Sequence, residues 1–515
     1  MADTTREVEH KYVFPGEAQG DGPPALPDLT GVAGVTAVRA EGITELDAVY
    51  HDTSDLRLAA GHVTLRRREG GHDEGWHLKF PVGPGVRDEL RAPLSDHLPD
   101  DLARLVRSRT RGADVAPVVR LRTSRAITRL LGKGGAPLVE MAVDAVRAER
   151  LGAGAGAGPA VSTWTEVEAE LEPGADPAVL DKVDRKLRKA GLAPAPSASK
   201  LARALAETGP PAPEARQERG PSTAGDHLLA YLREQAEAIA ALDPAVRRDL
   251  PDSVHQLRVA VRRLRSALRS YGRILDRAVT DPLGGELRWL GAELGVDRDN
   301  EVLAAHLRAR VDAVPAPLLL GPVEARLRRW TAASGSRSRE LTLATLDSDR
   351  YLALLDSLAA LLADPPLRGA AGATPRTALP KAVLKEYGKL ARRVAYALDL
   401  PAGKERDLAL HSARKAAKRV RYAAEAAAPG AGRPAKVFAR RMKKVQQLLG
   451  EHQDGVVARE AVRDLAIQAH AGGETAFTWG LLYAGEDERA RAAERALPRV
   501  WAKASRPAAR AALKR

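Results

Sequence analysis

The feature that most constrains this chain is a change of hydrophobic period at one place. Up to about residue 208, short runs alternate apolar and polar residues between Gly, Pro and Asp: Glu7 to Val13, Val63 to Arg67, Trp76 to Phe80, Glu89 to Leu94, Val118 to Arg122, Leu138 to Val143 and Thr163 to Leu171. A period of two marks strands with one buried face, and strands at short, regular spacing predict an antiparallel sheet or barrel. After residue 222 apolar residues fall three and four apart in long Ala/Leu/Arg/Glu runs, such as Leu228 to Leu242, Val254 to Leu275 and Ala435 to Leu449, which predicts helices. Between the two patterns, Glu207 to Ser222 carries Pro, Gly and charge with neither period and reads as a linker. At 515 residues the chain exceeds the roughly 250–300 that one core serves. The expected division is a β-rich unit over residues 1–208, a linker at 209–221 and an all-α unit over 222–510. The run Gly152 to Gly158 predicts a hairpin loop, and Asp364-Pro365-Pro366 to Pro380 and Pro429 to Gly432 predict breaks between helices.

Composition narrows the chemistry. The absence of cysteine excludes disulfides, zinc-thiolate sites, iron–sulfur clusters and thiol nucleophiles, so any metal must be held by oxygen or imidazole. A net charge of +14 favours phosphate-rich partners, while aromatic residues at 4% leave few rings for stacking bases and count against nucleic acid. Residues 1–7 hold no apolar signal segment and no stretch approaches the ~20 apolar residues of a spanning helix, which predicts a soluble cytoplasmic protein without membrane partners.

The charges of the first half are arranged by face. Glu7, Glu9 and Lys11 leave one side of a strand, as do Arg66 and Arg68, His77 and Lys79, Glu89 and Arg91, Arg120 and Arg122 with Arg125 close by, and Glu166, Glu168 and Glu170; Glu140 and Asp144 bracket another strand. The alternate positions (Val8, Leu65, Leu78, Leu90, Val119, Leu121, Val139, Met141, Val143, Val167, Leu171) form apolar faces suited to covering helices. The charged faces then line one concave surface. Carboxylates in one part and guanidinium and ammonium groups in another match a polyphosphate that carries a hard divalent cation.

The ordered set Glu7-Val8-Glu9-His10-Lys11, Leu65-Arg66-Arg67-Arg68, Leu78-Lys79-Phe80-Pro81, Glu140 to Asp144, Glu166 to Glu170 and Ser199-Lys200 resembles the CYTH family of triphosphate tunnel metalloenzymes over residues 1–208. The resemblance implies an eight-stranded antiparallel tunnel with helices that hydrolyses a triphosphate with Mg²⁺ or Mn²⁺. It implies Glu7, Glu9 and Lys11 as the catalytic set. Glu7, Glu9 and members of the Glu166, Glu168 and Glu170 row would be metal ligands, with Asp144 assisting. Lys11, Arg66, Arg68, Lys79, Arg120, Arg122 and Lys200 would hold phosphate oxygens. One cation would bind substrate and a second would activate water, so no side chain need be a nucleophile. His77 is read as structural.

The second half contains a duplication. His255-Gln256-Leu257-Arg258 through Arg265 matches His411-Ser412-Ala413-Arg414 through Arg421, and at nearly the same distance Leu294-Gly295-Val296-Asp297-Arg298-Asp299 matches Leu449-Gly450-Glu451-His452-Gln453-Asp454. At ~100° per residue, His255, Arg258, Arg262, Arg265 and Arg269 fall within about 80° of arc, opposite Leu257, Val261, Leu264 and Leu268. His411, Arg414, Lys418 and Arg421 repeat the basic stripe. Like charges at this spacing repel, and neither stripe intersperses Glu, so both call for an anionic partner. With Arg288-Trp289-Leu290, these features resemble the CHAD domain over about residues 222–510. That resemblance implies two pseudo-symmetric helical bundles that bind inorganic polyphosphate along a basic channel; Gln453 stands where the first copy has Arg298.

The combined expectation is a metal-dependent triphosphatase joined to a polyphosphate-binding helical domain, in the cytoplasm or on polyphosphate granules. Inorganic triphosphate leads over thiamine triphosphate, nucleoside triphosphates and cyclisation of ATP to cyclic AMP, because no aromatic cluster accompanies the charged strands. The rival expectation is a non-catalytic protein that binds polyphosphate and localises with it.

Overall fold

The computed structural model describes residues 3–14, 25–151, 160–209 and 220–514, without the side chains of residues 3, 296–301 and 333–338. The hairpin-loop run Gly152 to Gly158, most of the linker and the side chain of Arg298 therefore lie outside the described residues. The chain forms two compact units, Met1–Glu218 and Arg219–Arg515.

In the first unit eight strands close on themselves: β1 (Asp3–Val13), β2 (Ala37–Asp52), β3 (Thr64–Glu69), β4 (Gly75–Gly83), β5 (Val86–Ala92), β6 (Ala116–Leu131), β7 (Pro137–Arg150) and β8 (Val161–Leu171). Their order is β5-β4-β3-β2-β6-β7-β8-β1, and β1 pairs back onto β5, so no edge is left open; the two-residue β9 (Ala193–Pro194) attaches to β1. All these pairings are antiparallel. Helices α1 (Arg57–Ala60), α2 (Asp100–Thr110), α3 (Ala178–Lys189) and α4 (Lys200–Thr208) complete the unit. The strand absent from the sequence reading is β2. Its alternation is interrupted at Gly42, which has φ 98° and sits at a register shift against β6.

Two apolar clusters lie outside the barrel wall. Leu65, Leu78 and Leu90 pack on Leu102, Leu105 and Val106 of α2, while Val139, Met141, Val143 and Val167 pack on Val179, Leu180, Val183 and Leu187 of α3. A third cluster sits inside. Tyr50, Val119, Leu121, Val146 and Trp164 meet Leu201 and Ala204 of α4, and each strand residue shares the parity of the inward-facing residues on its own strand, Thr44 and Leu46 for Tyr50, Arg125 for Val119 and Leu121, Glu140 for Val146 and Glu168 for Trp164. The barrel is therefore apolar and filled at the end capped by α4, and charged over the rest. This corrects two expectations. Val119 and Leu121 face inward, not under a covering helix, so Arg120 and Arg122 point out of the barrel, where both pair with Asp47 of β2 (2.5 Å and 3.6 Å).

The second unit is helical: α5 (Ala224–Arg247), α6 (Ser253–Ser270), α7 (Arg277–Glu293), α8 (Val296–Asp312), α9 (Val323–Asp347), α10 (Asp349–Ala363), α11 (Pro375–Asp399), α12 (Lys404–Ala431), α13 (Arg433–Ala471), α14 (Phe477–Ala504) and α15 (Pro507–Ala512). One large core joins α5, α6, α7, α10, α11, α12 and α13; a second joins α8, α9, α13 and α14. The two His-headed segments lie on α6 and α12, which pack on each other. Both expected breaks are present, between α10 and α11 and between α12 and α13, but Pro380 and Pro429 lie beside them and not in them. They sit inside α11 and α12 near helix ends, where one lost backbone bond is tolerated, and α12 stops instead at Gly432 with φ 72°.

Candidate functional site

The barrel register builds the lumen row by row. Glu9 stands opposite Glu170, Glu170 opposite Glu140, and Glu140 opposite Arg129. One step deeper Lys11 faces Glu168, and deeper still Asp144 lies between Arg125 and Glu166. Glu7, Glu9, Lys11, Arg66, Arg68, Lys79, Glu168, Glu170 and Lys200 line one cavity, together with Tyr50, Asp73, Arg87, Glu89, Arg91, Arg125, Arg129 and Glu140.

At its floor, Lys200, the first residue of α4, is ringed by Asp144 (2.8 Å), Glu166 (2.9 Å) and Glu168 (2.5 Å). Arg125 makes two bonds to Asp144 (2.8 and 2.7 Å) and one to Glu168 (2.6 Å). Lys11 pairs with Glu168 and with Glu9 (2.8 Å). Against the cost of burial, Lys11, Lys200 and Arg125 hold the Glu168 carboxyl well below its ordinary range. Asp144 and Glu166 do not line the cavity; both sit behind Lys200, and the Trp164 indole donates to Glu166 (2.7 Å).

Toward the open part, Glu89 collects Arg91 (2.5 Å), His77 (2.8 Å), Lys79 (3.3 Å) and Arg66 (3.8 Å). Lys79 also donates to Glu7 (2.6 Å), and Arg66 donates to the Tyr50 hydroxyl (3.3 Å). Glu170 differs from its neighbours: among the described residues it has no ion-pair partner. Burial and the charges of Glu7, Glu9 and Glu168 push its carboxyl up to about 7, with Lys79 opposing. Carboxylates directly opposite on neighbouring strands are destabilising, and Glu170 faces both Glu9 and Glu140. It joins Glu7, Glu9 and Glu168, which already have Lys79, Lys11, Lys200 and Arg125 as counter-charges, in a set of oxygen donors of which Glu170 alone lacks a cation. That set fits a hard divalent cation.

This predicts a pH effect. A carboxyl whose folded pKa lies above its ordinary 4.5 lends stability that is complete below 4.5 and lost as the pH rises through about 7. In the presence of EDTA, Glu170→Gln is expected to melt above wild type at pH 8, with the gap closing toward pH 5. Parallel melting curves across that range would contradict the reading of Glu170 as an unneutralised charge.

The parity of the alternating strands brings Glu7, Glu9, Lys11, Arg66, Arg68, Lys79, Glu168 and Glu170 together with Lys200 of α4, leaves Asp144 and Glu166 behind Lys200, and leaves Arg120 and Arg122 outside. It missed the roles of Arg125, Glu89 and Tyr50, although Arg125 shares its parity with the inward-facing Leu121. His77 is structural in its contacts: it is buried and held between Glu89 and the Asp73 carbonyl (2.8 Å each).

In the helical unit the two stripes occupy equivalent settings. A Cβ at Gly295 would lie 3.2 Å from the Arg258 guanidinium, and one at Gly450 would lie 3.7 Å from that of Arg414, so each Leu-Gly segment leaves room for the arginine of its own copy. His411 pairs through Nδ1 with Gln453. The Nε atoms of Arg262, Arg414 and Arg421 are buried without a hydrogen-bond partner among the described residues. Among the described residues of this unit one imidazole–carboxylate group, Asp407, His452 and Glu494, has metal-like spacing. Arg459 (2.9 Å) and Arg406 (3.2 Å) already neutralise its carboxylates.

A CYTH domain model matches residues 6–205 and a CHAD domain model matches residues 230–463. An uncharacterized protein of Mycobacterium tuberculosis is 40% identical over 484 residues, covering 90% of each chain. The CHAD domain of Ricinus communis is 27% identical, with TM-score 0.38, covering 57% of this chain and 92% of its own. An adenylyl cyclase-type protein from Hippeastrum, described as revealing a dominant triphosphatase activity, is 17% identical, with TM-score 0.22, covering 40% of this chain and 98% of its own.

Proposed function

Because the chain belongs to the proteins that join a CYTH domain to a CHAD domain, we propose that its tunnel hydrolyses inorganic triphosphate with Mg²⁺ or Mn²⁺ and that its helical unit binds inorganic polyphosphate. The observation that carries the first half is the unneutralised Glu170 beside Glu7, Glu9 and Glu168, in the same lumen as Arg66, Arg68 and Lys79. The four glutamates would hold the cation, which supplies charge neutralisation of the phosphoanhydride and activation of water when bound. Arg66, Arg68, Lys79 and Lys11 would meet the phosphate oxygens, with Tyr50 fixing the Arg66 fork. Lys200 and Arg125, each bonded to more than one carboxylate, keep Glu168 ionised and aimed into the lumen. The closed floor admits substrate from one end, and water would attack the terminal phosphorus in line with the leaving oxygen.

Among the lining residues the only rings are Tyr50 and His72, and Tyr50 is committed to Arg66. That favours an inorganic triphosphate over a nucleotide or thiamine ester, whose ring would be left with the His72 imidazole alone to stack on. A phosphate-release comparison of inorganic triphosphate, ATP, thiamine triphosphate and long-chain polyphosphate tests this. Inorganic triphosphate is expected to give the highest kcat/KM, and a preference for ATP or release of cyclic AMP would overturn the assignment.

The buried Nε atoms of Arg262 and Arg414, which have no hydrogen-bond partner among the described residues, support the second half. Binding through many phosphate contacts weakens steeply with salt. Titration of the whole chain with long-chain polyphosphate should show this, and Arg262→Ala/Arg414→Ala should weaken binding and lower the logarithmic salt slope by about two. An unchanged slope would remove these arginines from the interface. Among the described residues no helix is long and apolar enough to cross a membrane.

A further inference from the structure

We propose that Asp73 is a resident counter-anion of the tunnel: its carboxylate holds the place on the Arg68 guanidinium that a substrate phosphate takes, and substrate enters by displacing it. The inference deepens the triphosphate reading and rests on it.

Arg68 is 4% exposed and its Nε lacks a hydrogen-bond partner. Burial, with Arg66 and Arg125 nearby, pushes its pKa down to about 9. A guanidinium in that setting demands an anion. Other lumen cations receive theirs from the barrel wall: Lys79 from Glu7 and Glu89, and Arg125 from Asp144 and Glu168. Arg68 instead pairs with Asp73, which belongs to no strand. Asp73 comes from the turn between β3 and β4, where Gly70, Gly71 and Gly75 take φ 82°, 79° and 141°.

The same carboxylate lies 4.0 Å from Arg91, a half-exposed residue of the lumen, so it bridges a buried and an accessible guanidinium. The Asp73 carbonyl is anchored by buried His77 (2.8 Å). The backbone of the turn is thus fixed from below while the carboxylate hangs on its own rotatable bonds. It can leave Arg68 by a rotamer change without opening the barrel. A phosphate chain, with higher charge and several acceptor oxygens, displaces a lone carboxylate; a small monoanion gains no such advantage. Asp73 would thereby set a threshold of charge for entry.

The test is isothermal titration of the full chain with inorganic tripolyphosphate in EDTA, where turnover cannot intervene. The variants are Asp73→Asn, which keeps the side-chain shape, Asp73→Ala as a second truncation, Arg68→Ala and Arg68→Ala/Asp73→Asn. With the competitor neutralised, Asp73→Asn is expected to bind about tenfold tighter, the size of one charge-assisted hydrogen bond. The gain should vanish in the Arg68→Ala background. With metal present, the KM of Asp73→Asn should fall. Equal or weaker binding by both Asp73 variants, or the same gain without Arg68, overturns the proposal. A wild type that hydrolyses and binds tripolyphosphate while Asp73→Asn gains nothing overturns Asp73 alone. Failure of every protein both to bind in EDTA and to release phosphate with Mg²⁺ or Mn²⁺ overturns the triphosphate reading with it.

Discussion

Glu7→Gln/Glu9→Gln is expected to remain folded and to lose metal-dependent phosphate release by on the order of 10³-fold, the scale of removing a preorganised charge from a transition state. The substitution keeps volume and hydrogen-bonding capacity but removes the two carboxylates of β1 from the four glutamates of the lumen, Glu9 among them directly opposite Glu170 of β8. Folding should survive. Lys79 keeps Glu89 at 3.3 Å and Lys11 keeps Glu168, so neither ammonium is left buried alone. Loss of two negative charges also relieves the repulsion that raises Glu170. The check is a pair of measurements, thermal melting in EDTA and initial rates with Mg²⁺ or Mn²⁺. A stable double variant with wild-type rates would show that the cation, if needed at all, is held elsewhere.

The largest effect on stability is expected from Lys200→Met. Methionine fills a similar volume, but Asp144, Glu166 and Glu168 lose the ammonium that lies 2.5–2.9 Å from each of them. Arg125 still serves Asp144 and Glu168, while Glu166 keeps only the Trp164 indole. Leaving buried charge uncompensated typically costs about 3–5 kcal/mol. The sign with pH follows from the depressed carboxyls. Lys200 and Arg125 lower Asp144 against its burial, and Lys11, Lys200 and Arg125 lower Glu168, so the stability these groups confer is present above their ordinary values of 3.8 and 4.5 and lost as the pH falls through the folded values. The deficit of Lys200→Met should be greatest at neutral pH and shrink below about pH 4. Urea unfolding of the barrel unit across pH measures it. A small deficit that does not vary with pH would mean that Lys200 is not the counter-charge of this cluster.

What could be read from the residues alone was which side chains share a face. The period change near residue 209 separated strands from helices, and the spacing of Glu7, Glu9 and Lys11 put three charges on one side of β1. Alternation does not say which face is inside at a given level of a barrel. Arg120, Arg122 and Arg125 differ in parity, and only the plug formed by Leu201, Ala204 and Trp164 makes the inward face of β6 apolar at Leu121 and charged again at Arg125. Glu166 looked equivalent to Glu168, with Asp144 assisting them. They became the cage of Lys200 through contacts between residues far apart in the chain, to which no local pattern refers. The pairing of Arg68 with Asp73 is of the same kind, since a turn rich in glycine shows where the chain reverses but not what its carboxylate meets. In the helical half the repeat was more legible, because a helix displays its stripe by spacing alone. The room that Gly295 and Gly450 leave for Arg258 and Arg414 required the packed structure.

The central claim is a metal-dependent triphosphatase in the tunnel, and the most direct measurement is the steady-state release of phosphate from inorganic tripolyphosphate by the purified full-length chain, with Mg²⁺ or Mn²⁺ and again with EDTA. The account predicts turnover with at least one of the two cations, none above background in EDTA, and near-background rates for Glu7→Gln/Glu9→Gln under every condition. No release with either cation, or release that persists undiminished in EDTA, would contradict it.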